Sequence, residues 1–406
     1  MNTPHPCRLR HPRSPAACAV LGLALLTGCG GQPASEPEAA PDTSTTPHGY
    51  VEGAQETQEA QSRLVLAESG TGATRVLDLI TEKVTTVATS SDGVRDVLSD
   101  GRFAYVSTGA RTRVVDGGGW TVDHGDHVHY YRAAVRELGT LDGSSAGVGT
   151  DAGATVITRT DGTALLLKRA VLEDGALGNP TPLTETSGPV VPHARHLIVS
   201  GAGEDGSAVE IRDRENNKVT TLANSCESAS GHGRTRAGVV LGCRDGALLV
   251  SEEGGEFDSE RIPYPNAVST GQRARDFTQR AGSSTLVALA GEDGVWQLDV
   301  EERAWKRFET GPVVAANSAG AGTDLLALAP DGELTSYDAQ SGKKTASRRL
   351  LAEVPDGVRI EVDASRAYVN DPAAKKIHEI DYNDRLREAR TFALDFAPDH
   401  MAETGR

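Results

Sequence analysis

Aromatic residues and positive charge are scarce in this sequence. Only 4% of its 406 residues are aromatic, and 41 Lys and Arg stand against 57 Asp and Glu, for a formal net charge of −16. No stretch of clustered Lys and Arg is interleaved with aromatic residues, which argues against nucleic acid and against an anionic membrane surface as partners. With three Trp in the whole chain, the sequence also lacks the Trp-Asp endings of WD repeats.

Long apolar runs are lacking as well, and the one near the N-terminus is short. It covers residues 16–26, follows three Arg residues, and falls below the roughly 20 residues needed to span a bilayer. This pattern predicts an export signal over residues 1–28. The signal ends in Leu-Thr-Gly-Cys, which resembles the lipobox of bacterial lipoproteins, so we expect lipidation of Cys29. The protein would then be anchored by lipid on the outer face of the cytoplasmic membrane; a plain signal peptide is the alternative.

Lys and Arg are absent from residues 29–61, which are rich in Pro, Ala, Ser, Thr and Glu. Such a composition cannot bury enough apolar surface to offset the entropy of ordering. We therefore expect an acidic flexible tether over residues 29–61, followed by the folded domain over residues 62–406.

Cysteine is also rare. Of five Cys, two leave with the signal and Cys29 would carry lipid, so Cys226 and Cys243 remain. Because the predicted compartment is oxidising, we expect these two to form a disulfide. A metal site is the alternative for the pair, but neither Cys has a second Cys at short spacing.

Turn signals recur along the rest of the chain at intervals of about 42 residues. They are Asp-Gly or a close variant between short apolar runs, at Asp161, Asp205, Asp245, Asp293, Asp331 and Asp371. Asp-Gly between apolar runs is the strongest short-range hairpin signal, and no long amphipathic helix interrupts the series. The period predicts an all-β fold, a β-propeller of eight four-stranded blades, or seven if the first and last units share a blade. A pair of β-sandwiches would not give so even a period.

The highest density of candidate metal ligands lies in a Gly-rich insertion of the second repeat unit. It interleaves three His with two Asp: His124, His127, His129, Asp123 and Asp126. Neutral imidazole is a preferred ligand of Zn²⁺, and nearby carboxylates can ligate directly or fix the imidazole tautomer. We predict a zinc site formed by the three His, with Asp123 and Asp126 as the neighbouring carboxylates. A solvated polar loop is the alternative.

A further ligand can be sought from propeller topology. In each blade, the turn between the first and second strands opens on the same face as the turn between the third and fourth. The His insertion lies between the third and fourth strands of its blade. His232 and His193 lie near the turn between the first and second strands of theirs. We rank His232 first as the distant ligand because flanking Gly residues argue against a packed core position. His193 ranks second, and His48 could act as a mobile ligand.

These motifs together resemble a known family. The segment HGYVEGAQETQEAQSRL from His48, the motif DHGDHVHYY from Asp123, and the stretch from Cys226 to Gly246 are similar to the periplasmic zinc metallochaperones of the AztD family. The resemblance implies a propeller that binds Zn²⁺ and passes it by direct contact to the zinc-binding protein of an ABC importer. It also implies zinc ligation by the three clustered His, with Asp126 close by.

Two other function classes stay open at this point. One is a propeller enzyme, a lyase or a zinc hydrolase, which would need an open metal position and a nearby base such as Asp123. The other is an interaction propeller without metal. No HExxH motif or nucleophile elbow occurs, so we expect a carrier and not an enzyme. We expect it to be a monomer that touches the membrane only through its lipid.

Overall fold

The computed structural model describes residues 50–124, 127–183 and 186–406, all within the second of the two units into which the chain divides, Pro47–Arg406. The predicted signal peptide, Cys29 and His48 lie outside the described residues. In the part that is described, no helix is long and apolar enough to cross a membrane.

The regular secondary structure of the described residues consists almost entirely of short strands. Those of the first half of the chain are β1 (Gln55–Thr57), β2 (Arg63–Ala67), β3 (Thr74–Asp78), β4 (Val84–Ala88), β5 (Val94–Ser99), β6 (Phe103–Thr108), β7 (Arg111–Asp116), β8 (Gly119–Asp123), β9 (Val128–Arg132), β10 (Arg136–Asp142), β11 (Ser145–Thr150), β12 (Ala154–Arg159), β13 (Ala164–Lys168), β14 (Thr181–Leu183), β15 (Val190–His193), β16 (His196–Ala202), β17 (Ala208–Arg212) and β18 (Lys218–Thr221). A helix of five residues, α1 (Arg169–Glu173), lies between β13 and β14.

The second half continues the same pattern. Its strands are β19 (Ser230–Thr235), β20 (Gly238–Cys243), β21 (Gly246–Glu253), β22 (Glu256–Pro263), β23 (Thr285–Leu289), β24 (Val295–Asp299), β25 (Ala304–Phe308), β26 (Ala315–Ser318), β27 (Leu325–Leu328), β28 (Glu333–Tyr337), β29 (Lys344–Arg349), β30 (Ile360–Val362), β31 (Ala367–Asp371), β32 (Lys376–Asp381), β33 (Arg387–Ala393) and β34 (His400–Thr404). A single 3₁₀ turn, Thr270–Gln272, precedes β23.

Within the described ranges the strands form eight antiparallel sheets in chain order, plus a smaller ninth. The eight are β34-β2-β3-β4, β5-β6-β7-β10, β11 to β14, β15 to β18, β19 to β22, β23 to β25, β26 to β29, and β30 to β33. In the three-stranded sixth sheet, an isolated bridge between Thr278 and Val287 takes the place of the inner strand. The ninth sheet has the order β1-β9-β8.

The sheets pack against one another in sequence. Each buried apolar cluster joins two consecutive sheets: Val65 with Val97 for the first and second, for example, and Phe103 with Ile157 for the second and third. One cluster joins the eighth sheet to the first, through Phe392 and Leu64. The described strands therefore form a closed ring, and the predicted β-propeller is confirmed. The number of blades, eight or seven, stays a prediction.

The last strand closes this ring. β34 pairs with β2 in the first sheet, with Thr404 opposite Arg63 and His400 opposite Ala67. The chain thus supplies three strands of the first sheet from its beginning and the inner strand from its end. Because a blade without its inner strand would expose apolar surface and an open edge, this pairing links the two ends of the domain.

Residues 55–57 differ from the sequence-based expectation. They fall in the predicted flexible tether, yet they form strand β1, which pairs with β9. Composition alone indicated disorder because this segment buries little apolar surface. Its order comes instead from backbone pairing to a neighbouring strand, which composition does not reveal.

Cys226 and Cys243 are joined by a disulfide, with their Cα atoms 5.1 Å apart. Cys226 lies between β18 and β19, and Cys243 ends β20. Both sulfur-bearing side chains are buried in the apolar cluster between the fourth and fifth sheets. The bond ties the entry of the fifth sheet to its second strand.

Replacing both cysteines by alanine should lower the free energy of unfolding. The bond spans 17 residues, and closing a loop of that size in the unfolded chain is worth about 3 kcal/mol. Urea unfolding of Cys226→Ala/Cys243→Ala beside the oxidised wild type measures this loss. Wild type treated with a reductant is the matched control and should lose a similar amount. An unchanged unfolding midpoint in both would contradict the prediction.

Candidate metal centre

The predicted zinc ligands lie on a hairpin inserted into the second sheet. Strands β8 and β9 interrupt the chain between β7, the third strand of this sheet, and β10, its outer strand. We call β8 and β9 the insertion hairpin. Since strand direction alternates, it leaves the sheet on the face where the first and second strands of every sheet are also joined, as the sequence predicts. We call this the site face.

A buried ionic cluster fixes the base of the insertion hairpin. Asp116, the last residue of β7, is fully buried, and its Oδ2 lies 3.2 Å from Nη2 of Arg102 and 3.3 Å from Nη2 of Arg136. Its Oδ1 accepts a hydrogen bond of 2.9 Å from the backbone N–H of Gly118. The guanidinium of Arg102 in turn lies 3.7 Å from the ring centroid of Trp120 in β8. One carboxylate therefore orients both the turn into the hairpin and its first strand.

Arg63 holds the same base from the first sheet. Its Nη1 donates to the carbonyl oxygens of Gly117, at 2.7 Å, and of Ala133, at 3.3 Å, so it joins the entry and the exit of the insertion. Its Nε lies 3.3 Å from Asp78. Gly118 has φ of +72°, and an added Cβ would lie 2.4 Å from Nη1 of Arg63. Glycine is required here both for the backbone conformation and for the close approach of Arg63.

The three histidines come together at the tip of the hairpin. The ring centroids are 4.8 Å apart for His124 and His127, 5.3 Å for His124 and His129, and 4.9 Å for His127 and His129. One ligand nitrogen from each lies within 4.8 Å of the others. The backbone N–H of His124 donates to the carbonyl of His127 across the turn, at 3.0 Å. We call these three residues the histidine cluster.

Two carboxylates border the histidine cluster. Nδ1 of His129 lies 2.6 Å from Oε1 of Glu56, which strand β1 places beside β9. Oδ2 of Asp123 lies 3.3 Å from Nη2 of Arg236, in the turn between the first two strands of the fifth sheet. The insertion hairpin therefore reaches across the ring toward that sheet. Asp126, the predicted carboxylate ligand, lies outside the described residues.

His232 is not part of the histidine cluster. It lies in β19, the inner strand of the fifth sheet, where its Nε2–H donates to the carbonyl of Val148 in the third sheet at 3.1 Å. Burial lowers the pKa of His232, which favours the neutral ring. The group of residues whose ligand atoms lie together consists of His124, His127 and His129 and does not include His232.

The glycines beside His232 have a packing role, contrary to the expectation that they argue against a packed position. An added Cβ on Gly231 would lie 1.5 Å from the carbonyl oxygen of Arg275, and one on Gly233 would lie 2.6 Å from a methyl carbon of Leu286. The inner strand passes too close to the backbone of Arg275 for any side chain at position 231, and a side chain at position 233 would displace Leu286. Flanking Gly in a strand signals close backbone approach as readily as it signals a loop.

His193 is likewise apart from the histidine cluster. It ends β15, the inner strand of the fourth sheet, with its ring centroid 6.3 Å from that of Phe257. Burial lowers the pKa of His193, and the nearby Arg234 adds to this. His193 thus borders the turn between the first two strands of its sheet, whereas His232 lies within the inner strand, and the described structure brings neither to the cluster.

Sequence reasoning missed Glu56 and Arg236. Glu56 was assigned to the tether because of its acidic surroundings, and nothing in its local sequence marks a strand partner. Arg236 lies in an ordinary turn, and only the direction of the insertion hairpin brings it to Asp123. The contacts of Glu56 with His129 and of Arg236 with Asp123 join segments that are far apart in the chain, so no short-range sequence pattern predicts them.

The arrangement can bind a divalent metal ion. Three imidazole nitrogens satisfy three positions of a tetrahedral Zn²⁺ site, and a carboxylate or water can take the fourth. His124 and His127 are exposed, and the side chain of His129 is 25% exposed. Solvent therefore reaches the site directly.

The sequence matches no protein-family model. Among solved structures, the fold is similar to the crystal structure of AztD from Citrobacter koseri, with a TM-score of 0.70, 19% identity, and 85% of this chain and 98% of that chain covered. Apo AztD from the same organism matches with a TM-score of 0.69, 17% identity and the same coverage. Dihydro-heme d1 dehydrogenase NirN, in complex with DHE, matches at 0.52 with 13% identity, covering 84% of this chain and 75% of that chain. The resemblance to AztD that the motifs indicate is thus confirmed at the level of the fold.

Replacing Asp116 by alanine should destabilise the domain. The change leaves the guanidinium of Arg102, which is 2% exposed, without its closest carboxylate, and breaking a buried ion pair in this way costs about 3 kcal/mol or more. Urea unfolding measures the loss. Asp395→Ala, at an exposed position, is the matched control and should leave the unfolding midpoint nearly unchanged. Equal midpoints for the two variants would contradict the assigned role of Asp116.

Proposed function

We propose that this protein is a zinc metallochaperone of the AztD family that works outside the cytoplasmic membrane. It binds Zn²⁺ at the histidine cluster and hands it to the substrate-binding protein of an ABC zinc importer. The observation that carries the proposal is the convergence of His124, His127 and His129 at an exposed position on a fold shared with AztD.

The donor set suits zinc. Imidazole nitrogen is a borderline ligand that Zn²⁺ binds in tetrahedral geometry at about 2.0–2.1 Å. Three rings whose ligand atoms lie within 4.8 Å of one another can close around one such ion with small side-chain rotations. Cu²⁺ would bind the same nitrogens more tightly by intrinsic affinity, so selectivity for zinc would come from geometry and from supply.

Exposure of the cluster supports transfer over storage. A carrier must release its cargo through ligand exchange, in which the acceptor's ligands replace the carrier's one at a time. The insertion hairpin presents His124 and His127 to solvent while its base stays fixed by Asp116. An acceptor can therefore approach the ion without the propeller having to unfold.

The disulfide and the predicted export signal both favour the cell envelope as the protein's compartment. A disulfide between Cys226 and Cys243 persists in oxidising surroundings and is rare in the cytoplasm. The export signal over residues 1–28 and the lipidated Cys29 would hold the protein on the outer face of the cytoplasmic membrane. A membrane-bound importer and a carrier tethered nearby could then meet without free diffusion over long distances.

A hydrolytic role is less well supported. A zinc hydrolase needs a base beside an open metal position, and Asp123, the predicted base, lies 3.3 Å from Arg236 in an ion pair. That contact directs the Asp123 carboxylate toward Arg236 of the fifth sheet, which favours a structural role over that of a base. Zinc binding without turnover would separate the carrier from the enzyme.

Replacing His127 and His129 by alanine should abolish tight zinc binding. The processed wild-type chain should bind one zinc ion, and loss of two of three imidazole ligands should weaken binding by about 100-fold or more. Elemental analysis and competition titration of the apo protein measure both quantities. His232→Ala is the matched control and should bind zinc as wild type does, because that side chain lies outside the histidine cluster. If the wild type binds no zinc, the proposed function is wrong.

Zinc transfer to the importer's binding protein should proceed by direct contact. The transfer rate from the zinc-loaded wild type should then rise with acceptor concentration and exceed the rate at which zinc dissociates into a chelator. Stopped-flow measurement with a fluorescent zinc indicator compares the two rates. A transfer rate equal to simple dissociation at every acceptor concentration would rule out a handover.

A further inference from the structure

The histidine cluster is completed by a segment that precedes the propeller in the chain. Strand β1 pairs with β9 so that Gln55 lies opposite Arg132, Glu56 opposite Tyr131, and Thr57 opposite Tyr130. In the three-stranded sheet β9 is the central strand, so β1 forms the outer edge on one side of the insertion hairpin. Residues 55–57 thereby become part of the surface that presents the metal ligands.

Strand geometry directs Glu56 toward the cluster. Residues that pair directly across two strands share a face of the sheet, and so do residues two apart on one strand. Glu56 therefore shares its face with Tyr131 and with His129. The rings of Tyr131 and His129 lie 6.3 Å apart on that face, and the carboxylate of Glu56 reaches Nδ1 of His129 at 2.6 Å.

This contact selects one tautomer of His129. A neutral imidazole carries its proton on one nitrogen and offers a lone pair on the other. Because a carboxylate accepts hydrogen bonds, Nδ1 of His129 carries the proton and donates it to Glu56. The lone pair then lies on Nε2, which is the nitrogen left to bind a metal ion. Carboxylates that orient ligand histidines in this way also increase the basicity of the free nitrogen.

We propose that Glu56 is a positioning residue of the zinc site, acting through His129 and not as a ligand of its own. This inference rests on the proposed function. It extends the site beyond the insertion hairpin to strand β1. In the metal-free protein, Glu56 holds His129 in the tautomer that can bind zinc.

Zinc affinity of three single variants tests the proposal. Glu56→Ala should weaken zinc binding by about 10- to 100-fold, the usual effect of losing such a partner. Glu56→Gln should lose less zinc affinity than Glu56→Ala, because the amide oxygen of Gln can still accept a hydrogen bond from Nδ1 of His129. Gln55→Ala is the matched control, since Gln55 lies on the same strand and contacts Arg132 at 3.2 Å instead of the cluster. A Glu56→Ala variant with wild-type affinity would overturn the proposal.

A double-mutant cycle separates positioning from direct ligation. If Glu56 acts through His129, then adding Glu56→Ala to His129→Ala should produce no further loss of zinc affinity. If the two losses multiply instead, Glu56 binds the ion independently, and the positioning role is wrong. Circular dichroism of each variant verifies that the propeller is folded.

The tautomer of His129 gives a readout that does not depend on zinc. Nitrogen NMR of the metal-free wild type should show the proton on Nδ1, and Glu56→Ala should shift His129 toward a mixture of tautomers. A proton on Nε2 in the wild type would overturn the inference even if zinc binds. Absence of zinc binding by the wild type would instead refute the proposed function, so the two failures are distinguishable.

Discussion

The whole domain depends on one constraint, which is that each sheet is buried on both faces only when it has two neighbours. Strands such as β2 and β6 are buried along their full length, so a missing blade would expose apolar surface on either side. β34 meets this constraint by pairing with β2 and closing the ring. The strands of the blades therefore serve packing, and the predicted metal ligands lie in a connection between two of these strands.

The insertion hairpin shows how such a connection can carry a site without weakening the ring. Its base is fixed by Asp116, which is buried with Arg102 and also orients the turn through Gly118. Its tip carries the histidine cluster, far from the apolar interfaces. Because the anchoring contacts and the ligands occupy opposite ends of the hairpin, ligand residues can be exposed while their backbone stays defined.

The fold was largely predictable from the sequence, but only part of the site was. Repeating Asp-Gly turns indicate blades because each hairpin requires its own turn chemistry, and His124, His127 and His129 are close in sequence. Contacts between distant segments left no such signal. Glu56 could not be recognised because it lies in an acidic segment whose composition indicates disorder. The glycines beside His232 reflect close packing to the sixth sheet, although the sequence argued against a packed position.

A zinc carrier of the proposed kind would have to combine two opposing properties, and the geometry shows how they could coexist. Tight binding requires ligands that are ordered before the metal arrives, since ordering them afterwards costs conformational entropy. Release requires that the acceptor reach the ion. The 2.6 Å contact from Glu56 orders His129 from the sheet side, while His124 and His127 remain exposed to an incoming protein. One ligand is thus prepared for binding and two are accessible for exchange, so the order of ligand replacement would begin at the exposed pair.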